Sequence, residues 1–97
     1  VGMITSNEPA FYCDGHYGIR TENLILCVEK EQTPYGRFLQ FQTLTLCPID
    51  LRPILKSMLS ENEIEWLNTY HRQVCRLLLP LLEKEEQNWL KKATAAI

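Results

Sequence analysis

The feature that most limits the fold is a change of hydrophobic rhythm after Pro48. Up to Leu46, β-branched and aromatic residues come in short runs punctuated by Pro9, Asp14-Gly15, Gly18 and Pro34-Tyr35-Gly36, the pattern of strands separated by turns. Strands are expected near 2–8, 17–30 and 37–47, with Asp14-Gly15 as a hairpin turn and the polar stretch 29–36 as an exposed connection. Beyond Pro48, Ser60-Glu61-Asn62-Glu63 reads as a capping box. Ile64, Leu67, His71, Val74, Leu78 and Leu81 follow at spacings of three and four, which puts them on one face of an amphipathic helix. Pro80 cannot donate a backbone hydrogen bond and disfavours helix at the preceding residue. A break is expected there, with a second helix from about Glu83 to Ala95. Strands followed by helices, with no alternation, give an α+β chain: a small antiparallel sheet and then two helices.

Ninety-seven residues allow one modest core, since chains of this size bury only about 60 to 65% of their unfolded surface. The net charge of −2 and a pI near 5.6 exclude the basic footprint that nucleic acid or an anionic membrane would require. The longest apolar stretch, 77–82, is interrupted by Pro80 and falls short of the roughly 20 residues of a membrane span. Cys13, Cys27, Cys47 and Cys75 contain no close CxxC pair, so they read as free thiols of a cytoplasmic protein. The opening Val1-Gly2-Met3-Ile4-Thr5 reads as the inside of a strand, and the chain is expected to have been cut from something larger.

The residues with chemical promise are carboxylates. Strand alternation sends Gly2, Ile4, Ser6 and Glu8 to one face of the first strand and Arg20, Glu22, Leu24 and Leu26 to one face of the second. Two glutamates on neighbouring strands repel unless a positive group lies between them. A hard divalent cation would serve, although two carboxylates rarely fill a coordination sphere. The plainer alternative leaves Glu8 as a strand-end surface residue and pairs Glu22 with Arg20 or a lysine.

Gly2-Met3-Ile4-Thr5-Ser6-Asn7-Glu8-Pro9 and Gly18-Ile19-Arg20-Thr21-Glu22-Asn23 closely resemble the last metal-binding segment of the Xaa-Pro aminopeptidases, a family of pita-bread metallopeptidases. The resemblance continues through the stretches 41–50, 65–71 and 89–94, and so covers essentially the whole chain. It implies the C-terminal part of a pita-bread fold, divided into a metal-ligand hairpin at 1–34 and a family-specific region at 35–97. Glu8 would ligate one metal of a dinuclear centre, Glu22 would bridge both ions, and Arg20 would orient the glutamates. The metal is usually Mn²⁺ in the family, with Zn²⁺ or Co²⁺ as alternatives. The implied activity is metal-assisted hydrolysis of the peptide bond before proline in peptides with proline at the second position.

The remaining ligands of such a centre, two aspartates and a histidine, would come from an upstream part of the same polypeptide. The 97 residues by themselves are therefore expected to bind no metal and to be inactive. A homodimer is in keeping with the family. His16 in the expected turn and His71 in the helix read as structural residues, as do Trp66, Tyr70 and Trp89. Ala10 stands where the family usually has glycine, and its methyl group would restrict the backbone there. A non-catalytic dimerisation or interaction module derived from the pita-bread fold is the alternative function.

Overall fold

A computed structural model describes residues 1–97 as two compact units, Val1–Thr45 and Leu46–Ile97. The first unit contains five strands: β1 (Ile4–Asn7), β2 (Ala10–Cys13), β3 (Tyr17–Arg20), β4 (Asn23–Thr33) and β5 (Gly36–Thr43). All pairings are antiparallel; β4 lies between β1 and β5 in one sheet, and β2 pairs with β3 in another. The α+β class expected from the sequence is the one observed.

Several boundaries differ from the expectation, each for a local reason. The run 17–30 is two strands, because the chain leaves the ladder at Thr21-Glu22, opposite the proline that interrupts the partner strand. For the same reason the first strand ends at Asn7, and a separate strand, β2, follows Pro9. The stretch 29–36 is mostly strand rather than connection: β4 runs to Thr33 and only Pro34-Tyr35 turn. Backbone pairing in a solvated two-stranded ribbon does not require apolar side chains. The register slips between Glu29 and Glu31, the mark of a β-bulge at Lys30. Strand β5 ends at Thr43, short of the expected 47, although Leu44 N–H still donates to the Leu24 carbonyl at 2.8 Å and Thr45 Oγ1 accepts from Leu24 N–H at 2.8 Å.

At the Asp14-Gly15 turn, His16 N–H donates to the Cys13 carbonyl at 3.0 Å. Gly15 has φ +72°, a conformation that a side chain would strain.

In the second unit, α1 spans Glu61–Leu78 and α2 spans Lys84–Ala93. The capping box is present: Glu63 N–H donates to Ser60 Oγ at 3.3 Å, and Ser60 N–H donates to the Glu63 carboxylate at 2.8 Å. Helix α1 stops at Leu78, and a single 3₁₀ turn, Leu79–Leu81, carries Pro80. Glu83 then opens α2 as its cap, its N–H bonded to the Glu86 carboxylate at 2.8 Å. Tyr70, Val74 and Leu90 form the core, flanked by Leu46, Ile49, Leu78 and Leu82.

The extended strap Leu46–Asp50 is fastened to α1 at two points. Tyr70 donates its hydroxyl to the Cys47 carbonyl at 2.8 Å and accepts from Cys47 N–H at 3.4 Å. Ile49 N–H donates to His71 Nε2 at 3.0 Å. Tyr70 and His71 are the structural residues their helical positions suggested. Trp66, although 54% exposed, packs on Tyr70 with ring centroids 5.7 Å apart, whereas Trp89 is 61% exposed. The four cysteines are unbridged, and no helix is long and apolar enough to cross a membrane.

Candidate metal centre

The strand pairs Asn7↔Asn23 and Ala10↔Arg20 belong to one continuous register, although they lie in different sheets. The two sheets are thus successive stretches of a single long hairpin, broken at Glu8-Pro9 on one side and Thr21-Glu22 on the other. Pro9 has no N–H to give the ladder, which is a sufficient cause for a break at this place. Its carbonyl remains in use and accepts from Thr21 N–H at 3.2 Å. The same register sets Glu8 opposite Glu22. Opposed residues of an antiparallel pair share a face, and the register continued through the break would set the two carboxylates on one.

Arg20 answers their charge. Its Nε lies 3.3 Å from Glu22 Oε2, in a pair half open to solvent, and its Nη1 donates to the Tyr12 hydroxyl at 3.5 Å. The guanidinium is held above its ordinary value first by Tyr12, and then by the carboxylates of Glu22 and Glu8. Of the two glutamates, Glu22 is the one paired directly with Arg20.

Tyr12 was not among the sequence candidates. Its ring lies over Gly18, its cross-strand partner, so closely that a Cβ on Gly18 would meet the ring at 2.5 Å. The aromatic-opposite-glycine pair is the signal that could have found it, but it needs β2, which the sequence pattern hid. Ala10 sits in extended strand paired with Arg20, and no residue other than glycine has positive φ. Its methyl group imposes no backbone strain here.

The donors are hard oxygens, suited to Mn²⁺, Mg²⁺ or a similar ion. No group of three or more His, Cys, Asp or Glu side chains is placed to hold a metal. The two carboxylates thus fit part of a metal site, and further ligands would have to join them. His16 lies in the β2–β3 turn and His71 on α1, and neither is a ligand in this arrangement.

The family described as the C-terminal region of peptidase M24 matches residues 37–97. The chain belongs to this family. The chain also has relatives over nearly its full length. It is 42% identical to a probable Xaa-Pro aminopeptidase P of Coprinopsis cinerea, over 99% of this chain and 16% of that protein. It is 46% identical to aminopeptidase P2 of Arabidopsis thaliana, over 92% of this chain and 13% of that protein. Among solved structures it matches the X-prolyl aminopeptidase of Caenorhabditis elegans, described as a cytosolic enzyme with a di-nuclear active site. That match has TM-score 0.85 and 39% identity, over 97% of this chain and 16% of the other. The chain thus spans about one sixth of the length of such relatives, and its fold is that of their C-terminal region.

Proposed function

We propose that the chain is the C-terminal part of a cytosolic Xaa-Pro aminopeptidase, contributing two glutamates to a dinuclear metal site that hydrolyses the bond before proline. The observation that carries this reading is the register that opposes Glu8 and Glu22 at the break in the hairpin, with Arg20 under the influence of both. The relatives named as aminopeptidases P and the di-nuclear site of the Caenorhabditis elegans enzyme support it.

Glu8 would be a terminal ligand and Glu22 the bridging one, with Mn²⁺ as the metal. A divalent metal pair supplies Lewis acidity, making a bound water acidic and polarising a carbonyl. The chain's own residues supply charge and orientation. Arg20 holds the Glu22 carboxylate by its Nε and is itself held by Tyr12, which limits the directions Glu22 can take.

The division at residues 34/35 between metal-ligand hairpin and family-specific region is part of this proposal. The family match beginning at residue 37 supports it.

The test is hydrolysis of Xaa-Pro peptides by the full-length polypeptide loaded with Mn²⁺. Turnover that falls by about a hundredfold or more in both Glu8→Gln and Glu22→Gln is expected for direct metal ligands, because even outer-shell partners are worth about 10–100-fold. Absence of turnover in the metallated wild-type protein would favour a non-catalytic interaction module.

A further inference from the structure

The strap Leu46–Asp50 is held to α1 by two side chains of different chemistry, and only one can titrate near neutral pH. Tyr70 holds Cys47 through a hydroxyl that both donates and accepts. His71 holds Ile49 through Nε2, which accepts from the backbone N–H at 3.0 Å. An accepting Nε2 has no proton, so the neutral ring carries its proton on Nδ1. That Nδ1 is buried without a partner, and the residue is 1% exposed.

From this geometry we infer that His71 is the acid-sensitive arm of a two-point latch, and that protonation releases the Ile49 end of the strap from α1. An imidazolium would direct a proton from Nε2 at the Ile49 N–H, setting donor against donor. It would also bury a charge with no acceptor on its other nitrogen, a penalty larger than the loss of one neutral hydrogen bond.

No neighbouring charge compensates. In the strap, Asp50 is committed to Arg52, with Nη2 to Oδ2 at 2.6 Å. On α1 the adjacent titratable residues are Tyr70, already bonded to Cys47, Arg72, whose Nη2 pairs with Glu65 at 2.7 Å, and Cys75. The end of α2 carries Lys91 and Lys92, whose sign opposes a second positive charge. Burial alone pushes the His71 imidazole below its ordinary value.

The sign follows from linkage. A histidine with a depressed folded value stabilises the closed latch fully above its unfolded value, about 6.5. That stabilisation is lost as the pH falls from there toward the folded value. Over that interval one extra proton binds on opening, so the opening equilibrium rises about tenfold per pH unit.

The experiment is amide hydrogen exchange read by mass spectrometry on the full-length protein between about pH 8 and about pH 5. Intrinsic rates are divided out, and the peptide carrying Ile49 is followed. Protection is expected to stay level above about pH 6.5 and then to fall about tenfold per unit, while amides in the middle of α1 keep theirs. His71→Gln, whose side-chain oxygen accepts without titrating, should level the profile. A flat wild-type profile, the same fall in His71→Gln, or a parallel loss at the α1 amides would overturn the inference. If His71→Gln does not fold, hydrogen exchange at the His71 ring carbon of the wild-type protein decides: a midpoint below about 6.5 supports the latch, and one at or above it refutes the latch.

Discussion

At the scale of single residues, Gly18, Tyr12, Arg20 and Glu22 form a chain of contacts in which each member limits the next. Tyr12→Phe removes the hydroxyl that accepts from Arg20 and leaves the ring in place. The full-length protein should then lose about tenfold in metal affinity, the lower range for an outer-shell partner. Gly18→Ala should produce the same loss by displacing the ring. Metal titration of both variants checks this, and an unchanged affinity in both would remove Tyr12 from the account. The placement of Glu8 and Glu22 at opposed positions of the hairpin was legible in the sequence, because strand alternation put each on a defined face. Tyr12 was not, since its role depends on a strand that begins after a proline, where Phe11-Tyr12-Cys13 carries no clear alternation. Arg20 was legible as a neighbour of Glu22, but its bond to Tyr12 was not.

At the scale of elements, the helices followed their local signals and the strands followed their partners. Ser60 and Pro80 act within a turn of chain, so their positions could be read directly, and the second helix begins next to the expected Glu83, which caps it. The interruption of 17–30 could not, because it arises across the ladder from Pro9. The caps carry their own prediction. Ser60→Ala should lower stability by about 1 kcal/mol near neutral pH, measured by denaturant unfolding. The Glu63 carboxyl is held below its ordinary range by the Ser60 backbone and side-chain hydrogen bonds. Its contribution is therefore present above about pH 4.5 and is lost as the pH falls through its folded value. The difference between Ser60→Ala and wild type should shrink in acid; a constant difference would show that the carboxylate does not contribute to the cap.

At the scale of the whole molecule, the core of the second unit rests on few residues, among them the nearly inaccessible Val74 and Leu90. Leu90→Ala should cost about 2–5 kcal/mol, the range for large-to-small changes in a packed core, and thermal unfolding would report it. Phe11, Tyr12, Tyr17, Leu55, Met58 and Leu81 all stand exposed. The α+β class and the helix pair were plain from the order of patterns, whereas the division into two sheets was not. The central claim is that Glu8 and Glu22 are ligands of one dinuclear centre, and the metal content of the full-length protein tests it most directly. Two manganese ions per wild-type chain are expected, with a loss of bound metal in both Glu8→Gln and Glu22→Gln; unchanged stoichiometry in the two variants would contradict dinuclear ligation by these glutamates.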